Sequence, residues 1–337
     1  MTGSKEQYDT IDFMKFICAV LIVILHTNPL PKYESIILPI THIAVPFFFI
    51  VGAFFIWKKL NAVSTRDAKN IIIKKYIKGI MDLYFTWFVI TLPVTLYTRR
   101  FFAKGLLYGI AYFCREFFLH STWRSSWYLM ATIIGTLLTY YFCEIVKINE
   151  KLWLAIVFFI YMICIVGSTW GGILYRNGTL WRMYLQYIDI FTVPYTSFPV
   201  SLFWIYVGKW LAAHETDIVT RCRLKNLYLM LFFSLILLLL EAKLAYGLDM
   251  VVLTDDCYLS LIPVAIVCVC IGLLNNCHIN YAGRLRKIST LTYCMQGSLV
   301  EILGGGVFNC ALILFGCLVV SCVCIYCEDR KRRNGVK

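Results

Sequence analysis

Apolar runs of about 20 residues recur along this chain almost from end to end, separated by short basic or aromatic stretches. A run of that length matches the hydrocarbon thickness of a bilayer. In that medium each backbone N–H and C=O must find a partner within its own segment, which a helix provides. The expected fold class is an all-α integral membrane protein of about ten transmembrane helices. Composition agrees: of 337 residues 60% are hydrophobic and 15% charged, whereas a soluble domain carries roughly 25% charged residues.

The spans are expected at about 12–26, 36–57, 79–98, 126–146, 152–169, 190–212, 226–246, 258–274, 288–303 and 307–326. The first follows a polar leader with no small-residue cleavage site, so it reads as a span and not a signal peptide. Between the second and third, Lys58, Lys59, Arg66, Lys69, Lys74, Lys75 and Lys78 face a single Asp67. Positive loops stay in the cytoplasm, which places the N- and C-termini there and makes 58–78 a cytoplasmic loop. The apolar stretch 101–119 is broken by Lys104, Arg115 and Glu116 and suits an interfacial helix. Residues 170–189 form a long outer loop, and Asp249, Asp255 and Asp256 an acidic outer turn. One membrane domain, 1–337, accounts for the chain, with a basic cytoplasmic tail at about 328–337.

The net charge of +13 is distributed between spans, which argues against nucleic acid as a partner. The fifteen cysteines show no paired metal-binding spacing and sit mostly in apolar runs, so no metal site is expected.

Within the first run, Lys15 and His26 stand eleven residues apart, about 16 Å and about 20° of net rotation on an α-helix. They share a face. An imidazole inside a span is costly enough to indicate function, and a general base needs an orienting acid and a substrate hydroxyl. The acids nearest membrane depth are Asp9, Asp12, Glu116, Asp189, Glu241 and Glu301. Lys75 and Lys78, at i and i+3, share one helix face where phosphates could be met. Gln296 is a polar residue in the ninth span, and Trp127-Tyr128 opens the fourth as an aromatic belt does.

Taken in order, Asp12-x-x-Lys15, His26, Val45-Pro46-Phe-Phe-Phe-Ile-Val-Gly52, Lys75-x-x-Lys78, Trp127-Tyr128-Leu129 and Ile288-Ser289-Thr-Leu-Thr-Tyr293 resemble acyltransferase family 3 of bacterial membrane proteins. His26 to Leu30 and Val45 to Phe47 are also similar to the membrane domains of vancomycin-resistance serine racemases. The resemblance implies a multi-pass enzyme of the bacterial cytoplasmic membrane. Such an enzyme moves an acetyl group from acetyl-CoA, its co-substrate, to a hydroxyl of a sugar, cell-envelope glycan or lipid-linked sugar. It implies His26 as the catalytic histidine; of the acids above, Asp12 and Glu301 are the candidates expected to act with it. Lys15, Lys75 and Lys78 would then meet the donor, and Trp127, Tyr128 and Gln296 the substrates. Lysines stand where the family usually has arginines, so charge is kept and the bidentate fork is lost. The racemase likeness allows a second expectation, a transporter or permease for a small polar solute such as an amino acid.

Overall fold

A computed structural model describes residues 8–99, 102, 105–275 and 277–333. The described chain is helical, with no strand among those residues. The elements are α1 (Asp9–Thr27), α2 (Glu34–Thr41), α3 (Ala44–Asn61), α4 (Arg66–Arg99), α5 (Leu106–Leu119), α6 (Trp127–Tyr140), α7 (Glu150–Gly167), α8 (Gly172–Tyr175), α9 (Gly178–Phe191), α10 (Phe198–Ala213), α11 (Glu215–Arg221), α12 (Leu224–Gly247), α13 (Leu261–Leu274), α14 (Ala282–Leu303) and α15 (Val307–Arg333).

Among the described residues, eight helical stretches are long and apolar enough to cross a membrane. The expected ten differ from these at two places. The eighth expected span is only α13, fourteen residues, or about 21 Å of rise against the roughly 30 Å of a hydrocarbon core. The ninth, α14, is long but interrupted by polar residues such as Ser289, Thr292, Gln296 and Ser298.

The bundle is organised on α10. Its residues from Pro199 to Lys209 are all buried, the pattern of a helix apolar on every side and enclosed by others. It packs on α3, α6 and α7. Close approach depends on two missing side chains: a Cβ at Gly208 would stand 2.4 Å from the Ile50 carbonyl oxygen of α3, and one at Gly135 of α6 would stand 2.3 Å from Ser201 Oγ of α10. By contrast α12 turns Leu229, Phe232, Phe233, Leu237, Leu240 and Leu244 outward, a surface suited to lipid chains.

Several expected loops are helical. Of 58–78 only the short link between α3 and α4 is irregular, because Lys, Arg and Ala favour helix and Thr65 Oγ1 accepts from the Ala68 N–H at the start of α4. That helix runs 34 residues, about 51 Å, so it projects beyond any bilayer it crosses. The stretch 170–189 likewise folds as α8 and α9, with the Asn177 side chain capping α9 by accepting from the N–H groups of Thr179 and Leu180. The interfacial helix expected near 101–119 is α5; Lys104 lies outside the described residues, as do the tail residues 334–337.

The expected second span is two helices, broken at His42-Ile43. Pro46 supplies the cause: it has no N–H to give to the His42 carbonyl four residues back, so the helix ladder fails there.

The N-terminal end of α1 and the C-terminal end of α15 lie at one end of the bundle. Asp9 Oδ2 accepts from the Ile279 N–H at 3.1 Å, and Arg284, at the start of α14, pairs with Asp329 of α15 at 3.1 Å.

Candidate active site

His26 sits in the last turn of α1, whose end is clamped by the triple-glycine turn between α14 and α15. The Gly306 N–H donates to the Thr27 carbonyl at 2.7 Å. A side chain at Gly305 would collide with that same carbonyl, its Cβ 2.5 Å away. The imidazole borders a cavity of about 80 Å³ whose wall includes His42, Ser125, Tyr128, Tyr293 and Asp256.

Ser125 approaches the histidine from the loop between α5 and α6. Its Oγ lies 2.8 Å from His26 Nε2. On its other side the Gln296 amide Nε2 donates to the same Oγ at 2.8 Å, and the Tyr293 hydroxyl donates to the Ser125 carbonyl. Ser125 adopts φ +74°, a left-handed conformation that a non-glycine residue takes at some cost. Gly297 makes the approach possible: a Cβ there would stand 2.0 Å from the Arg124 carbonyl oxygen. Thus α14 presents a bare backbone to the loop at 297 and a hydrogen-bonding amide at 296.

Opposite this wall stands His42, placed by the break between α2 and α3. Its Nε2 lies 3.7 Å from Asp255 Oδ1 and its Nδ1 3.8 Å from Asp256 Oδ1. Both acids come from the irregular segment between α12 and α13, where Asp255 and Cys257 are buried and Asp256 half-buried. The two carboxyls are pushed apart. Burial raises Asp255, but the nearby His42 imidazole and hydrogen bonds from the hydroxyls of Tyr258 (2.8 Å) and Tyr246 (3.2 Å) outweigh it and hold this carboxyl below the usual range. Burial dominates at Asp256 and holds it above.

The residues singled out by sequence fall into three places. His26, Trp127, Tyr128 and Gln296 converge: the first three line the cavity and Gln296 is fully buried behind Ser125. Lys15 and Asp12 lie at the other end of α1, 3.2 Å apart, with Arg286 at 3.3 Å from Asp12. They border a second cavity of about 760 Å³ together with Lys58, Lys59 and Phe55. Asp12 is therefore about 21 Å of helix rise from His26, out of reach of its ring. Lys75 and Lys78 are exposed on α4 and do not border that cavity. Glu301 is half-buried in the last turns of α14 and does not border the His26 cavity.

Glu241 takes a structural position. Its carboxylate accepts from the N–H groups of Leu259 and Ser260 and from Trp170 Nε1, fixing the turn that starts α13. Sequence reasoning passed over Ser125, His42 and Asp256. The signal for His42 was the same as for His26, an imidazole within an apolar run; Ser125 and Asp256 carry no comparable local mark.

An apolar helix bundle with a half-buried imidazole at one end of α1 and a charged cavity at the other is the architecture of a polytopic membrane protein. Residues 8–328 match the acyltransferase domain family, and the chain belongs to it. Among curated proteins it is similar to an amino-acid racemase of Enterococcus faecalis, 28% identical over 177 residues, which are 50% of this chain and 23% of the relative. A second amino-acid racemase of that organism is 27% identical over 185 residues, 53% of this chain and 26% of the relative. The serine/alanine racemase of Enterococcus gallinarum is 25% identical over 172 residues, 50% and 24%. The match spans about a quarter of each of these relatives. No solved structure matches the chain.

Proposed function

We propose that the protein is an O-acetyltransferase of the bacterial cytoplasmic membrane, taking acetyl from acetyl-CoA and delivering it to a hydroxyl of a sugar or cell-envelope glycan. The observation that carries this reading is the 2.8 Å contact between His26 Nε2 and a hydroxyl inside an enclosed, largely aromatic cavity. An imidazole nitrogen in that position accepts a proton from an alcohol as the alcohol oxygen attacks a thioester carbonyl. The cavity between Trp127, Tyr128 and Tyr293 has room for an acetyl group and one acceptor hydroxyl arm, and His42 with Asp256 offers that hydroxyl polar partners.

The donor binds at the opposite end of α1 in this reading. Lys15, Lys59 and Arg286 supply positive charge around the larger cavity, and Lys75 and Lys78 add exposed charge on α4. CoA phosphates stay in that wet, cationic mouth while the long pantetheine arm follows α1 inward to His26. Since Lys15 and His26 belong to one unbroken helix, the two sites keep a constant separation of about 16 Å.

Purified protein in detergent is incubated with acetyl-CoA and isolated cell envelopes as acceptor, and free CoA is measured for wild type, His26→Ala and Lys75→Ala/Lys78→Ala. The reading expects turnover by wild type and a loss of at least about a hundredfold in His26→Ala. It expects weaker donor binding in the lysine double variant. No turnover by wild type, together with uptake of labelled serine or alanine into proteoliposomes, would replace it with the transport reading that the racemase likeness allows.

A further inference from the structure

The contacts around Ser125 exceed what a loop residue needs. Its Oγ accepts from the Gln296 amide, which has only hydrogens to offer on that nitrogen. The hydroxyl proton of Ser125 is thereby left to point at the one remaining partner, His26 Nε2 at 2.8 Å. Its backbone is held in the left-handed region by the Tyr293 bond to its carbonyl and by the close seat of Arg124 on Gly297. Two parts of an activated nucleophile are present: a hydroxyl within hydrogen-bond reach of a base, on a sharply turned backbone facing a cavity; Gln296 fixes the hydroxyl from its other side.

We propose that Ser125 is the acyl carrier of the reaction. The inference rests on the acetyl-CoA reading above and adds to it a covalent intermediate. In the first half-reaction Ser125 Oγ attacks the thioester carbonyl, forming a C–O bond and breaking the C–S bond. The Oγ proton passes to His26 Nε2 and from there to the departing CoA thiolate, which leaves as the thiol. In the second half the acceptor hydroxyl attacks the acetyl-serine ester and gives its proton to His26. His26 returns a proton to Ser125 Oγ as that bond breaks. The products are CoA, the acetylated acceptor and the enzyme unchanged. The small cavity serves both halves in turn, so donor and acceptor need not occupy it together.

The test is single-turnover labelling of the full chain in detergent with radiolabelled acetyl-CoA and no acceptor, followed by a denaturing quench and peptide mapping. The expected result is a burst of free CoA equal to the amount of enzyme, with one acetyl group on the peptide that contains Ser125. Ser125→Gly, which suits a positive φ, should keep the fold and lose both label and turnover, the latter by at least about a hundredfold. Ser125→Cys should carry the label as a thioester, which neutral hydroxylamine removes faster than the serine ester. Label on His26, or acetyl transfer by Ser125→Gly at the wild-type rate, overturns the proposal. So does a slow Ser125→Gly enzyme whose wild-type parent carries no label, which would make Ser125 a positioning residue. In those three cases wild type still releases CoA once isolated cell envelopes are added as acceptor, and the acyltransfer reading stands. If wild type releases no CoA even with cell envelopes present, that reading and the proposal fall together.

Discussion

At the scale of single residues the site is a meeting of groups that are far apart in sequence: His26, His42, Ser125, Asp256 and Gln296. The two neighbouring carboxyls provide a direct check on this geometry. Asp256 has a folded pKa above its unfolded value, so its neutral form favours folding below the ordinary aspartate range, and that contribution declines as pH rises through the range. Asp255 has the opposite sign: its contribution is present above the ordinary range and is lost as pH falls through its lowered folded value. Thermal melts in detergent should show Asp256→Asn more stable than wild type at neutral pH, with the gain shrinking in acid, and Asp255→Asn less stable at neutral pH. A gain for Asp256→Asn that is independent of pH would contradict the assignment. His26 is legible in the sequence because a lone imidazole in an apolar run stands out, and its relation to Lys15 needs only helix geometry. Ser125 is not, because serines in loops are common and its partners lie 99 and 171 positions away.

Among the secondary-structure elements, glycines decide where helices and loops may touch. Gly297 lets the Arg124 carbonyl lie against α14, and that contact sets the position of Ser125 one residue on. Gly297→Ala must move backbone and not merely a side chain, a change of a kind that costs about 1–3 kcal/mol. The expected outcome is a protein that still accumulates in the membrane but turns over poorly, measured as CoA release per folded molecule. Helix existence is readable from hydropathy; helix ends are not. The basic stretch 58–78 reads as a loop because its charge reports topology, yet its residue types favour helix and it joins α4. The break at His42 follows from Pro46 once a bent helix is in view, but a proline in an apolar run does not by itself say whether the helix bends or stops. The burial of Asp255 and Asp256 is beyond hydropathy, since it depends on an irregular segment folding inward between α12 and α13.

For the whole molecule, the bundle separates two environments along one helix: a broad charged cavity at one end of α1 and a narrow aromatic one at the other. Arg286 and Lys15 belong to the first only. Changing both to alanine should raise the KM for acetyl-CoA and leave kcat within a few-fold, because the charges act on donor phosphates about 16 Å from the bond that breaks. The same variant should flatten the dependence of KM on ionic strength, since fewer charges remain to be screened. An equal fall in kcat and kcat/KM would instead tie these residues to the chemical step.

The size of the His26 cavity has a consequence for which thioesters react. At about 80 Å³ it is smaller than the roughly 150 Å³ pocket that admits a benzene molecule. On the acetyl-CoA reading proposed above, the cavity would gauge chain length: a two-carbon acyl group fits beside the imidazole, and an octanoyl group exceeds the space. Acetyl-CoA should outpace octanoyl-CoA by orders of magnitude in kcat/KM, and shaving the wall at Tyr128 should narrow that gap by admitting the longer chain.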